Sequence, residues 1–138
     1  MTQTIDINFI RYLNLFEKIT KVRTKNCFFY NNYLIYAVPG SFVSRAIGEN
    51  GKNVKRLAEI LQKKIKIVAL PEKSYEINSF ISRVVSPITF KSLDVTENEV
   101  IISGNVQCKA SLIGRNKKRL IELKKIIKDM LNRELRIV

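Results

Sequence analysis

The sequence predicts an α+β protein of two consecutive modules, each running helix, strand, strand, helix, helix, strand, with helices covering a three-stranded sheet. Three observations predict it. Ala46-Ile47-Gly48-Glu49-Asn50-Gly51-Lys52 aligns without gaps to Leu112-Ile113-Gly114-Arg115-Asn116-Lys117-Lys118, 66 residues later. The same offset pairs Ile35 with Ile101, Val54 with Leu120, Leu57 with Leu123 and Ile60 with Ile126. Both halves also end alike: Lys64-Ile65-Lys66-Ile67-Val68 matches Glu134-Leu135-Arg136-Ile137-Val138, with four extra residues in the second copy. Self-similarity at a fixed spacing marks a duplicated structural unit. The 138 residues therefore divide into modules at 1–70 and 71–138, each near the smallest size that folds alone.

In the first copy, Phe9, Leu13, Phe16 and Thr20 recur along one face, with Ile10 and Ile19 beside them, which predicts a helix over 6–20. Strands follow over 25–30 and 33–38. They are joined by Asn31-Asn32, residues that tolerate the left-handed backbone of a tight hairpin. A short helix over 41–47 comes after Pro39-Gly40, then the turn Gly48-Glu49-Asn50-Gly51. The next helix, over 52–63, is expected to bury Val54, Leu57, Ala58 and Leu61, and an apolar strand over 65–70 closes the module. The second copy repeats the order. Its helix runs over 75–85, its strands over 88–95 and 99–103, and its second helix over 106–113. The turn Gly114 to Lys117, a helix to about Leu131 and a strand ending at Val138 complete it.

Composition narrows the function. Twenty-five Lys and Arg against twelve Asp and Glu leave a net charge of +13. Twelve basic and four acidic residues fall in the first 70, so both halves are positive. Such a field concentrates polyanions and favours nucleic acid through counterion release. No apolar run approaches the ~18 residues of a membrane span, and no basic helix faces a stripe of exposed aromatics, so no membrane partner is expected. The N-terminus shows no export leader, and Cys27 and Cys108 suit burial in a reducing compartment, so a cytoplasmic protein is expected. With two distant thiols and no histidine, neither a metal site nor any other cofactor is expected. The missing histidine also removes the commonest general base, and the carboxylates are scattered singly. No catalytic residue is assigned.

The glycine turn is the feature that points to chemistry. Four residues join two helices, with glycine at each end. Glycine permits backbone conformations closed to other residues and leaves the main chain bare to a ligand. The following helix offers free N–H groups and the positive end of its dipole, which together attract a phosphate. Lys52, Lys55 and Arg56 add cations in its first turns, an unfavourable place for positive charge unless an anion docks there. A helical corner that serves only the fold is the plain alternative. Its recurrence at the same place in a duplicated, basic chain favours the binding reading.

The pattern Ile47-Gly48-Glu49-Asn50-Gly51-Lys52-Asn53-Val54 resembles the I-G-x-x-G-x-x-I hallmark of KH domains, whose G-x-x-G loop clamps the backbone of about four nucleotides. The extra helix and strand precede the core in each copy, which is the type II, prokaryotic arrangement. Two abutting type II modules look like the archaeal form of the NusA family of transcription factors. That resemblance spans essentially the whole chain and implies a transcription elongation and termination factor. Its implied partners are single-stranded RNA, and RNA polymerase or its elongation complex. A monomer is expected. The RNA-binding residues it implies are Ile47, Gly48, Glu49, Asn50, Gly51, Lys52, Lys55 and Arg56 in the first copy. In the second they are Gly114, Arg115, Asn116, Lys117, Lys118 and Arg119.

One departure matters: Lys117 stands where the second glycine belongs, which implies either a phosphate held farther off or a different turn. The first module is then expected to position nucleotides through its backbone, and the second to add electrostatic affinity. The resemblance also implies an apolar base groove lined by Val43, Ile47, Val54 and Ile67 in the first copy, and by Ile113, Leu120 and Ile137 in the second. For Val54, Leu57, Leu120 and Leu123 ordinary core is the simpler assignment. Phe28, Phe29, Tyr30 and Tyr36 are candidate stacking platforms, although strand alternation makes about half of them core. A tandem-KH factor in ribosome assembly, a KH-based protein adaptor and an RNA-processing enzyme are the alternatives.

Overall fold

The computed structural model describes residues 7–138, so Asp6, the first residue of the expected opening helix, lies outside the described residues. Two compact units meet in sequence at Pro71, the second spanning Glu72–Val138. The first unit holds α1 (Ile7–Thr20), β1 (Asn26–Tyr30), β2 (Tyr33–Val38), α2 (Val43–Ile47), α3 (Lys52–Leu61) and β3 (Lys64–Ala69). The second holds α4 (Ile77–Val85), β4 (Ser92–Val95), β5 (Glu99–Ser103), α5 (Val106–Ile113), α6 (Lys118–Leu131) and β6 (Glu134–Ile137). The described residues thus form six α-helices and two three-stranded sheets, an α+β architecture.

Each sheet is ordered by sequence, β1-β2-β3 and β4-β5-β6. The first two strands pair antiparallel and the last two parallel. A hairpin suffices for the antiparallel pair; Asn31 and Asn32, at φ +50° and +68°, make its two-residue turn. The parallel pair needs a crossover, and α2, the glycine turn and α3 supply it. The glycine turn therefore sits in the middle of the crossover that returns the chain to the sheet. In β2, the central strand, Leu34 to Val38 are all buried, as a strand paired on both edges requires.

The core of the first unit forms where α1, α2 and α3 meet the sheet. Phe16, Leu34, Tyr36, Val38, Ala46 and Leu57 are fully buried there, with Phe9, Tyr12, Leu13 and Ile19 packed against them. Phe16 stacks on Tyr36 at 4.2 Å between ring centres, and the Tyr36 hydroxyl donates to the carbonyl of Tyr12 at 2.9 Å. Both α3 and α6 end on a left-handed residue, Gln62 and Asn132, with the same φ +54° and ψ 43°. The four extra residues of the second copy lengthen α6, which has 14 residues against 10 in α3. One helical turn was inserted without disturbing the cap or the strand that follows.

Several boundaries differ from expectation. The strand expected over 88–95 begins only at Ser92, because the Ile88 N–H turns back to the Val85 carbonyl at 2.9 Å. The helix expected from Tyr75 opens as a 3-10 turn, Ser74–Glu76, and becomes α-helical at Ile77. The Glu76 carboxylate accepts the N–H groups of Glu72 and Lys73 there, at 2.8 and 3.0 Å. The helix expected over 41–47 likewise starts as a 3-10 turn, Gly40–Phe42. Val54 and Ala58 are half-buried rather than core. Cys27 is buried in β1, whereas Cys108 is only half-buried on α5.

Candidate nucleic-acid interface

The first glycine turn is built by two glycines doing different jobs. Gly48 takes φ +81° and ψ 166°, a region that is essentially glycine-only. Its N–H donates to the Ser44 carbonyl at 3.0 Å and ends α2. A Cβ on Gly48 would stand 2.9 Å from the amide nitrogen of Asn53. That amide is committed: Asn53 Nδ2 donates to the carbonyls of Ala46 at 3.1 Å and Arg45 at 3.4 Å. The start of α3 is thereby laced to the end of α2, and carbonyls that the helix leaves without partners are satisfied. Gly48 is a glycine for the sake of the fold.

Gly51 is different. Asn50 and Gly51 both adopt the left-handed conformation, at φ +56° and +72°, and the Gly51 N–H closes onto the Gly48 carbonyl at 3.0 Å. A Cβ on Gly51 would meet nothing within 4 Å. The bare main chain at Gly51 therefore faces open space.

The second turn has the same backbone. Gly114 lies at φ +74° and ψ 175°, Asn116 at φ +56° and Lys117 at φ +60°, with the Lys117 N–H on the Gly114 carbonyl at 3.2 Å. The lysine does not force a different turn. It holds a left-handed conformation that disfavours a side chain by about 1–2 kcal/mol. The two loops differ in side chains rather than backbone, with Lys117 in place of Gly51 and Arg115 in place of Glu49.

Neither α3 nor α6 has a side-chain cap or an acidic residue in its first turn, so the positive end of each dipole is uncompensated. Around the first loop Glu49, Asn50, Lys52, Lys55 and Arg56 are exposed, while Ile47 is half-buried and packs against the core. Around the second, Arg115, Asn116, Lys117 and Lys118 are exposed. Arg119 is half-buried, and its Nε would lie 2.8 Å from a Cβ on Gly114. It occupies the place that Asn53 holds in the first unit, folded over the glycine.

The residues expected to line the base grooves divide. Val43, Ile47 and Val54 are half-buried, as are Ile113, Leu120 and Ile137, whereas Ile67 is core. Leu57 and Leu123 are fully buried; Val54 and Leu120, for which core was the simpler expectation, are not. Among the hairpin aromatics, Tyr30 and Tyr36 are buried. Phe29 joins a cluster with Phe9 and Tyr12 at 5.7 and 6.1 Å between ring centres, and Phe28 is half-buried. Phe29 and Tyr36 serve as anchors for α1 rather than as open platforms.

Sequence reasoning missed Asn53 as the residue that shapes the loop, and Arg45 and Lys21 as cations beside it. Asparagine two residues into a helix is the one signal that hinted at the first. Lys21 comes from the end of α1, distant in sequence, whereas Arg45 stands on α2 only three residues before Gly48. No group of three or more His, Cys, Asp or Glu side chains is placed to hold a metal among the described residues. No described helix is long and apolar enough to cross a membrane.

No family model matches the chain. A protein of Halococcus morrhuae described as a probable transcription termination protein NusA is 24% identical over 98 residues, which is 71% of this chain and 68% of that protein. A solved structure described as the crystal structure of APE1850 matches with a TM-score of 0.66 and 26% sequence identity, covering 97% of this chain and 100% of the other. The chain is thus distantly similar to a NusA protein, and its architecture is compatible with two KH-like modules.

Proposed function

We propose that the chain is a single-stranded RNA-binding factor of the archaeal NusA type, acting on nascent transcripts during elongation and termination through two type II KH modules. The observation that carries this reading is the turn at Gly48 to Gly51. A glycine held open to solvent precedes an uncapped helix with three cations in its first turns. A sugar-phosphate chain can approach that main chain closely, and the uncompensated dipole attracts its charge. The order of elements, with a helix and a strand before each strand-helix-helix-strand core, supports the type II assignment. Similarity to a NusA protein supports a role in transcription over other RNA work.

In this reading the residues around each loop do binding and no chemistry. Gly48 to Gly51 cradle the backbone, Lys52, Lys55 and Arg56 neutralise it, and the second loop adds Arg115, Lys117 and Lys118 as point charges. RNA polymerase or its elongation complex is the expected macromolecular partner, and the cytoplasm the expected compartment. Crosslinking the protein to RNA in its own cells, with sequencing of what is bound and identification of what co-purifies, tests the assignment. Nascent transcripts together with polymerase subunits are expected. Pre-ribosomal RNA with assembly intermediates would move the protein to ribosome assembly, and capture of protein without RNA would make it an adaptor.

A further inference from the structure

A cleft of about 600 Å³ lies against the first glycine loop, on the side toward the end of α1. Its walls come from three elements: Thr20 and Lys21 at the end of α1, Ser44 and Arg45 on α2, and Lys52 and Arg56 on α3. Gly48 and Glu49 form the boundary with the loop, so the cleft is continuous with it. The volume falls within the range of small-ligand sites, ~300–1,000 Å³, enough for a nucleotide. We infer that this cleft binds the phosphodiester backbone of RNA where the strand leaves the loop, so that Lys21 and Arg45 extend the footprint beyond the nucleotides held at Gly48 to Gly51. The inference rests on the RNA-binding reading and lengthens its site.

Four cations from three elements converge on a concave surface whose walls are fixed. Lys21 is set at φ +62° by its N–H bond to the Glu17 carbonyl at 2.9 Å. The Thr20 hydroxyl fastens the chain on either side, donating to the Phe16 carbonyl at 2.7 Å and accepting the Val22 N–H at 3.1 Å. Asn53 locks the α2 wall, with Arg45, to the α3 wall, with Lys52. Glu49 is the one carboxylate on the lining. It disfavours a bare anion and suits a ligand that carries a hydroxyl donor beside its phosphate, as ribose does. The duplication isolates the feature. At the offset of 66 residues Lys52 corresponds to Lys118, whereas Arg45 and Arg56 correspond to Ser111 and Glu122, so the second unit lacks two of the cleft cations.

Binding of four- and eight-nucleotide oligouridylates, followed by fluorescence anisotropy at about 0.1 M salt, separates loop from cleft. Wild-type protein is expected to bind the octamer more tightly than the tetramer. Lys21→Glu/Arg45→Glu is expected to weaken the octamer about tenfold or more, and the tetramer several-fold less. Lys21→Gln/Arg45→Gln should show the same order at smaller size, which guards against misfolding of the charge-reversed protein. Arg11→Glu/Lys25→Glu makes the same change in net charge at exposed sites away from the cleft. Equal octamer losses in this control and in the cleft variant would overturn the proposal. So would equal losses for tetramer and octamer in the cleft variant, or a wild-type octamer no tighter than the tetramer; the loop reading would survive each of these. Failure of wild-type protein to bind either oligonucleotide would overturn both.

Discussion

At the residue scale the two glycines of the first loop separate fold from function. Gly48 occupies a conformation that strains any side chain by about 1–3 kcal/mol, and its neighbour Asn53 fills the space a methyl group would need. Gly48→Ala should therefore destabilise the first unit by about 2–3 kcal/mol in urea unfolding, binding apart. Lys117 shows the converse. It accepts a left-handed backbone that glycine would adopt freely, so Lys117→Gly should raise stability by about 0.5–1 kcal/mol while weakening RNA binding. Gly48 was legible in the sequence because it recurs as Gly114 within a shared Ile-Gly-x-Asn pattern. The division of labour between Gly48 and Gly51 was not, since it depends on where the Asn53 amide lies.

Among the elements, order and type were legible almost throughout, because the duplication supplied each one twice. The exceptions are physical. Ile88-Thr89-Phe90 has the apolar and β-branched character of a strand, yet the hydrogen bond from Ile88 back to Val85 bends it away from the ladder. The aromatics of the first hairpin read equally well as platforms or as core, and the packing of α1 decided for Phe29 and Tyr36. In that hairpin Cys27 lies directly across from Tyr36. Burial pushes the Cys27 thiol up to about 12, from an ordinary value of 9.0. It pushes the Tyr36 hydroxyl up as well, reinforced by the charges that Cys27 and Tyr12 would carry. Between about pH 9 and 12 the unfolded chain binds fewer protons than the folded one at Cys27. Stability is fully present below that window and falls as pH rises through it, by up to about 1.4 kcal/mol per pH unit. Cys27→Ala should flatten this alkaline slope in unfolding measurements from pH 8.5 to 10, and an unchanged slope would place the thiol elsewhere.

For the whole molecule, charge sets the terms of binding. A net +13 spread over both units makes any RNA affinity strongly dependent on salt. Contact with four or five phosphates gives a slope of about −3 in log K against log salt for a single strand. Lys117→Ala/Lys118→Ala should reduce that slope by about one to two, because each cation removed releases fewer counterions. An unchanged slope would remove the second loop from the interface. Net charge could be read from composition alone, but Lys21 reaches the first loop from the end of α1, and only the folded chain brings it there.

In the proposed reading RNA lies against the open main chain at Gly51, and Gly51→Asp places a carboxylate at that contact. The site has room for the new side chain, and Lys117 shows that the turn forms without glycine. Anisotropy with single-stranded RNA, alongside circular dichroism and thermal unfolding, should show a native fold and at least a tenfold loss of affinity. Native structure with undiminished RNA binding would show that RNA does not lie at Gly51.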